Sequence, residues 1–173
     1  EPSPALRMID NPNFKLKTIK TRKIAFLMAD GFNDNSVAEM KMSLMKAGAK
    51  VLTVAPRLGL LTGREGDTVN ADFSFLTGAS VLFDAFYVPD GETSVSALQA
   101  EPEAINFLNE AYKHCKTIAA SGAGVALLES AGLDESLTDA GLIFARDVHP
   151  ATLAENFVMA IAQHRHWGRE PKV

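Results

Sequence analysis

The stretch KIAFLMADGFNDNSVAEMKMSLMKAGAKVLTVAP (residues 23–56) has the pattern of a strand, a helix and a second strand. Residues 23–29 are apolar without alternation, as in a strand buried on both faces of a parallel sheet. Ser36 and Glu39 form a capping-box pattern, which predicts a helix that begins there. Apolar residues then repeat at helical spacing, at Val37, Met40 and Leu44. Residues 49–56 predict the second strand, so we expect a β-α-β unit.

The rest of the chain continues this alternation. Residues 58–80 are rich in glycine and turn residues and predict short strands or a hairpin. Further strands are predicted at 83–91, 117–121 and 142–147, and further helices at 102–115, at 122–132 and from Pro150. The sum is an α/β fold of flavodoxin-like type: a doubly wound, mostly parallel sheet with helices on both faces. Its functional surface is expected at the carboxyl ends of the strands.

The length and composition predict one globular domain behind an extended arm. Of 173 residues, 47% are hydrophobic and 22% are charged, which is ordinary for a single domain with a sizeable core. Residues 1–21 contain three prolines and show no clear period, so we interpret them as a linker and residues 22–173 as the domain. Because the first residue is Glu1 rather than methionine, we expect this chain to be a piece of a longer protein.

Charge and composition exclude several classes of function. The net charge of -4 and the isoelectric point near 5.6 argue against a general nucleic-acid binder. No apolar run is long enough for a membrane span, and the amino terminus does not have the pattern of a signal peptide. The single cysteine, Cys115, cannot form an internal disulfide, which fits a reducing compartment. We therefore expect a soluble protein with no membrane partner, and the cytoplasm is the favoured location.

Ser121 is the candidate nucleophile at the functional edge. It ends a predicted strand and precedes Gly122 and a helix, which is the order of a nucleophile elbow. A serine needs a base within hydrogen-bond reach, and His149, just after the last strand, is the histidine expected at this edge. The alternative for His149 is a solvent residue beside Pro150. The other histidines are expected elsewhere: His114, His164 and His166.

The only cysteine in the sequence is not expected at this edge. Cys115 precedes the strand that Ser121 ends, so at ~3.3 Å per residue the two lie roughly 15–20 Å apart on opposite edges of the sheet. We interpret Cys115 as a packed thiol; a reactive thiolate is the alternative.

An oxyanion hole at the functional edge would use N–H groups at the turn around Gly91 and at the helix from Gly122. Asp90 and Glu92 flank that turn with carboxylates, which oppose a developing negative charge.

The sequence offers no cofactor site. We find no metal-ligand cluster and no phosphate-binding glycine fingerprint, and the glycine pairs at 63–66 and 122–124 are too short to count. Tyr87 and Tyr112 are interpreted as packing residues. Six other bulky apolar residues are candidates for the core or for exposed apolar surface, and most of them are expected in the core: Phe32, Leu60, Leu61, Phe73, Phe75 and Phe86.

Three segments carry a resemblance to a known family. They are KTIKTRKIAFLMADGF, LNEAYKHCKTIAASGAG and AQHRHWGREPKV. They resemble the C-terminal domain of large-subunit haem catalases, in which a flavodoxin-like domain follows the catalase core through an extended linker. The chain is more distantly similar to the class I glutamine amidotransferase superfamily. That superfamily includes PfpI-like proteases and related deglycase-like and chaperone-like proteins.

The resemblance implies a degenerate pocket. The wider superfamily uses an elbow cysteine, an acidic residue after the first strand and often a histidine. Carried over, the elbow falls on Ser121, the acidic position on or near Ser36, and the oxyanion turn on Asp90 and Gly91. The thiolate is absent, and Ser36 is expected to be a helix cap. The expected pocket, without catalytic residues, comprises Ser36, Asp90, Gly91, Ser121, Gly122 and His149.

The resemblance also implies a function. The chain is expected to be a non-catalytic accessory domain that stabilises a haem catalase, whose core disproportionates hydrogen peroxide. Haem belongs to that parent core and no cofactor to this chain; the parent is expected to be a homotetramer. One alternative is an autonomous chaperone-like module that binds unfolded client proteins. The other is a weak hydrolase that uses Ser121 and His149.

Overall fold

The computed structural model describes residues 19–137, 139–146 and 150–163. The predicted arm lies outside the described residues up to residue 18, as do His149 and residues 164–173. The strands are β1 Lys23–Leu27, β2 Lys50–Ala55, β3 Gly59–Thr62, β4 Thr68–Ala71, β5 Phe73–Ser74, β6 Ala85–Val88, β7 Thr117–Ser121 and β8 Leu142–Ala145. The helices are α1 Asp34–Lys46, α2 Glu92–Gln99, α3 Pro102–Lys113, α4 Gly124–Ser130 and α5 Pro150–Ala162, with 3-10 turns at Ser80–Leu82 and Glu135–Leu137.

Six of the strands form one parallel sheet, in the order β5-β2-β1-β6-β7-β8. The chain moves outward from β1 through β2 to β5, and then returns to the other side of β1 with β6. This reversal between β1 and β6 is where ligand sites form in open α/β sheets, beyond the carboxyl ends of the strands. The predicted doubly wound α/β fold is confirmed.

Each face of the sheet has its own apolar core. In β1, Ala25 and Leu27 point to one core, whereas Ile24 and Phe26 point to the other. The first core is covered by α2, α3 and α4, and the second by α1 and α5. Both faces of β1 are therefore dry, which explains why its sequence is apolar without alternation. Full burial of one such side chain contributes about 1.5–3 kcal/mol.

The start of α1 corrects one prediction. The helix is capped by Asn33, whose Oδ1 accepts a hydrogen bond from the Ser36 N–H at 3.0 Å. Ser36 therefore lies in the first turn and is not the cap. The reason is tertiary, because the Asn33 N–H is also bonded to the Asp90 carbonyl at 2.8 Å, which fixes the turn before the helix. This contact ties the loop after β1 to the loop after β6.

Helix α2 (Glu92–Gln99) was not expected from the sequence. Its residues, ETSVSALQ, are half serine, threonine and small residues and give a weak apolar stripe. It begins directly after Gly91, whose φ of +134° lets the chain turn sharply out of the β6 strand. Buried Ser94 then accepts the Ala29 N–H at 2.8 Å, so the first turn of this helix holds the end of β1 in place.

The predicted hairpin is present as the antiparallel pair β3–β4. Two carboxylates attach it to the main body: Asp30 Oδ1 accepts the Thr62 N–H at 2.8 Å, and Asp34 Oδ2 accepts the Asp67 N–H at 3.1 Å. Leu60 on this hairpin is 59% exposed and is the exception among the six bulky residues, most of which were expected in the core. The other five bulky residues are buried, except that Phe73 on the edge strand is half-buried.

Candidate functional site

A small cavity of about 130 Å³ opens at the carboxyl edge of the sheet, beyond β6, β7 and β8. It is lined by Ser36, Met40, Tyr87, Asp90, Ser121, Gly122, Ala145, Arg146, Pro150 and Leu153. The predicted residues Ser36, Asp90, Ser121 and Gly122 therefore come together, and Gly91 follows Asp90 in the same turn. His149, the candidate base, lies outside the described residues.

The Ser121 hydroxyl is engaged by two neighbours. Ser121 is the last residue of β7 and is only 9% exposed. Its Oγ lies 2.7 Å from the Tyr87 phenol oxygen and accepts the Asp90 N–H at 3.1 Å. The hydroxyl is thus held inside the sheet by a phenol and a backbone amide, neither of which is a base.

Tyr87 is a neutral phenol at physiological pH. Burial raises its pKa to about 12, the hydrogen bond with Ser121 opposes that rise, and the negative charges of Asp90 and Glu39 add to it. Its ring packs edge-on against Phe26, with centroids 5.0 Å apart. Tyr87 therefore packs in the core, as predicted, and in addition its hydroxyl forms a hydrogen bond with Ser121. A neutral phenol with so high a pKa cannot take the proton from Ser121 at neutral pH.

The backbone at Ser121 departs from a nucleophile elbow. The left-handed conformation falls on Gly122, with φ of +51°, and Ser121 stays in the sheet. The Gly122 N–H donates to the Ala145 carbonyl at 2.9 Å, which continues the pairing of β7 with β8. The turn therefore does not push the serine side chain out of the strand, as an elbow would.

The Asp90 carboxylate occupies the position predicted for an oxyanion. Its Oδ1 accepts the Gly91 N–H and the Ala123 N–H, each at 2.8 Å. It also lies against Gly122, where an added Cβ would come within 2.3 Å of the Asp90 carboxyl carbon. Two N–H groups of the expected oxyanion hole are therefore already bonded to a fixed negative charge. Glu92, which was expected to oppose an oxyanion as well, is exposed on the first turn of α2.

The acidic position expected on or near Ser36 does not supply an acid to the cavity. Ser36 itself lines the cavity. Asp34, two residues earlier, is buried and its Oδ2 binds the hairpin at Asp67. The carboxylate nearest in sequence thus holds two parts of the fold together.

Arg146 is a cavity residue that the sequence analysis missed. It follows the last residue of β8, whereas the predicted strand 142–147 included it, so its place at the carboxyl edge was missed. Its guanidinium forms ion pairs with Glu129 and, at 3.4 Å, with Glu135. These carboxylates neutralise the positive charge at the rim of the cavity.

Cys115 lies at the opposite edge of the sheet, before β7. Its thiol is buried and donates to the Lys113 carbonyl at 3.8 Å. The neighbouring His114 is half exposed and lies 3.7 Å from Glu110. The structure therefore keeps Cys115 and His114 away from the Ser121 cavity, as the strand geometry predicted.

Among residues 19–137, 139–146 and 150–163, no three histidine, cysteine, aspartate or glutamate side chains are grouped so that they could hold a metal ion. In the same part of the chain, no helix combines the length and the apolar character needed to cross a bilayer.

Residues 20–171 match a family described as the C-terminal domain found in long catalases. This chain belongs to that family. It is similar to "Catalase HPII" of Mycobacterium avium, with 40% identity over 96% of this chain, and to "Catalase-2" of Bacillus subtilis (strain 168), with 36% identity over 89% of this chain. It spans 25% and 22%, respectively, of the length of those two catalases.

The fold of this catalase C-terminal domain is shared with solved structures of the DJ-1, ThiJ and PfpI group. A ThiJ/PfpI domain protein from Brachyspira murdochii has a TM-score of 0.69 and 20% identity, over 84% of this chain and 96% of that one. DJ-1beta from Drosophila melanogaster has the same TM-score and identity, over 84% of this chain and 91% of that one. At this identity the likeness shows the fold alone.

Proposed function

We propose that this chain is a non-catalytic accessory domain of a haem catalase, with residues 22–173 as the domain and residues 1–21 as the connection to the core. The core precedes it in the same polypeptide, carries the haem and disproportionates hydrogen peroxide, and the parent assembles as a homotetramer. The support is the family match and the fact that the chain spans about a quarter of relatives named catalases.

The observation that carries the non-catalytic part of this proposal is the position of Asp90. Its carboxylate accepts the two N–H groups that would otherwise stabilise an oxyanion, and its own N–H is bonded to Ser121. A preorganised site needs donors that are free to meet the charge developing in the transition state. Here the Gly91 and Ala123 N–H groups already donate to Asp90 before any substrate binds, so we interpret the cavity around Ser121 as a degenerate site.

A hydrolysis assay tests this part directly. We expect the wild-type chain and Ser121→Ala to turn over p-nitrophenyl acetate at the same rate. Ser130→Ala, which removes an exposed serine on α4, is the matched control. A rate that falls in Ser121→Ala and not in Ser130→Ala would overturn the non-catalytic proposal and favour a residual hydrolase.

The stabilising role is tested on the whole catalase. Full-length enzyme and a version that ends before residue 22 are heated together, and residual peroxide turnover is followed with time. We expect the truncated enzyme to inactivate faster, because the domain adds contacts that are made only in the folded assembly. Equal inactivation rates would remove the stabilising role.

One observation favours chaperone-like binding as a second candidate. A groove of about 460 Å³ lies between the β3–β4 hairpin and α2, and Leu58 and Leu60 on its wall are each 59% exposed. Exposed apolar surface of this kind is suited to unfolded segments. We expect the chain to reduce light scattering by a heat-denatured client, and Leu58→Ser with Leu60→Ser to lose that effect. The control pair, Met42→Ser with Met45→Ser, changes exposed methionines on α1.

A further inference from the structure

The connection between β5 and β6 exposes apolar side chains at the amino edge of the sheet. Within its 3-10 turn, Ser80–Leu82, Val81 is 67% exposed and Leu82 is 47% exposed. Leu76, earlier in the same connection, is 81% exposed. Single exposed apolar residues are common on protein surfaces, so exposure alone does not indicate a contact.

The backbone of the Ser80–Leu82 turn is fixed from beneath by a buried cation. Lys116, which is 1% exposed, donates to the Ser80 carbonyl at 2.8 Å, and its Nζ lies 5.9 Å from the centre of the Phe86 ring. The next residue after the turn, Phe83, is fully inside the core and contacts the same Phe86 ring. The bond from this buried lysine therefore fixes the position of the Ser80 carbonyl, and with it the backbone of the turn.

The same turn lies beside the place where the preceding polypeptide enters the domain. Asp84, two residues after Leu82, donates its N–H to the Lys23 carbonyl at 2.7 Å and accepts the Lys23 N–H on its carboxylate at 2.8 Å. Arg22 lies 3.9 Å from the same carboxylate. Ile19 is buried, so the chain is already bound to the body of the domain at the first described residue. The first described residues therefore lie at this edge of the sheet.

We propose that the Ser80–Leu82 turn packs against the catalase core that precedes this domain in the same polypeptide; this inference rests on the proposed function. The relatives extend beyond this chain by about three quarters of their length, so the occupant is large, and the first described residues of the chain lie beside the turn. A covalent connection gives a high effective concentration, so a small apolar contact can be occupied without high intrinsic affinity. The partner surface is apolar and faces Val81 and Leu82.

Hydrogen exchange of the amides of Leu82 and Phe83 tests this inference. In the full-length catalase we expect these amides to exchange about tenfold or more slowly than in the 173-residue chain, because docking limits local opening. The double variant Val81→Glu with Leu82→Glu should lose the slowing in the full-length protein. Met42→Glu with Met45→Glu, which adds the same two charges at exposed apolar positions on α1, should keep it.

The outcomes separate this inference from the proposed function. Equal exchange in the full-length protein and in the 173-residue chain would overturn the docking contact. Slowing that appears in the 173-residue chain as its concentration rises would also overturn it, because the occupant would then be a second copy. Slowing that persists although removal of the domain leaves thermal inactivation unchanged would support docking and refute the stabilising role.

Discussion

The two edges of the sheet use their polar groups in opposite ways. At the carboxyl edge, Asp90, Tyr87 and Ser121 satisfy one another and leave a cavity whose donors are already occupied. At the amino edge, buried Lys116 holds a turn whose apolar side chains, Val81 and Leu82, face outward. The Ser121 cavity at the carboxyl edge has its backbone donors occupied by its own side chains, whereas the Ser80–Leu82 turn at the opposite edge presents rigid apolar side chains.

This difference shows that fold and site can be separated. The topology brings loops together at the carboxyl edge in any protein of this architecture, but chemistry there depends on donors that remain available. Here the Asp90 carboxylate alone accepts the Gly91 and Ala123 N–H groups, so neither of these donors remains available. Substitutions at the carboxyl edge measure how much the contacts around Asp90 stabilise the fold, and a substitution of Lys116 measures how rigid the turn at the amino edge is.

The largest effect is expected for Gly91→Ala. A Cβ at Gly91 would lie 2.7 Å from the Gly31 carbonyl oxygen and 2.8 Å from the Phe32 Cα, and the φ of +134° strains any other residue. We expect a loss of roughly 3–5 kcal/mol in the free energy of unfolding, measured by urea denaturation. Gly59→Ala is the matched control, because its φ is +124° and no described atom lies within 4 Å of the added Cβ.

Gly59→Ala should cost only about 1 kcal/mol, which is the strain term without a collision. Equal losses of stability for the two variants would show that the loops after β1 and β6 do not pack closely at Gly91, which would contradict the close contacts described at the carboxyl edge.

Asp90→Ala should have the next largest effect. It leaves the Gly91 and Ala123 N–H groups without their acceptor, so we expect a loss of about 2–3 kcal/mol in the free energy of unfolding. Formate offers the same carboxylate and should raise the melting temperature of this variant more than that of the wild type. Glu92→Ala, at the exposed start of α2, is the control and should show no such rescue. Absence of rescue with an intact fold would contradict the interpretation that Asp90 fills an anion position.

Tyr87→Phe should change how stability depends on alkaline pH. The folded pKa of Tyr87 is raised from 10.0 to about 12, so its contribution is complete below pH 10 and is lost as the pH rises through about 12. At about 1.4 kcal/mol per pKa unit, this loss approaches 2–3 kcal/mol. The stability difference between wild type and Tyr87→Phe should therefore shrink across this range in urea denaturation. A difference that stays constant with pH would show that the phenol is not buried against Ser121.

Lys116→Met should have the smallest effect on global stability and tests the amino edge. Loss of the bond to the Ser80 carbonyl is offset by removal of a buried charge, so we expect a change within about 1 kcal/mol. The amides of Leu82 and Phe83 should nevertheless exchange faster, as measured by mass spectrometry. Lys113→Met, which changes an exposed lysine on α3, is the control. Unchanged exchange in Lys116→Met would mean that the turn does not depend on the lysine.

Much of the fold could be predicted because its signals are local. The uninterrupted apolar run of β1 indicated a strand buried on both faces, and the glycine-rich stretch indicated the β3–β4 hairpin. The placement of Ser121 and Cys115 on opposite edges followed from strand geometry alone. The negative charge of Asp90 beside the expected oxyanion position was also visible in the sequence.

Other features could not be predicted because they depend on distant partners. Asn33 replaced Ser36 as the helix cap because its backbone is held by Asp90, and helix α2 formed from a weak helical pattern because Ser94 binds the end of β1. Most of the six bulky apolar residues were expected in the core, and the sequence did not indicate that Leu60 is the exposed one, because the hairpin that carries it lies outside the main sheet.

Apart from helix α2, the sequence by itself determined the order of the main strands and helices, the faces they bury and the edge at which Ser121 lies, because hydrophobic periodicity acts over a few neighbouring residues. Only the tertiary structure decided what that serine does. Its partners, Tyr87 and Asp90, are more than thirty residues away and reach it through the parallel pairing of β6 with β7. These partners meet because of the register between β6 and β7, which pairs residues that are far apart in the chain.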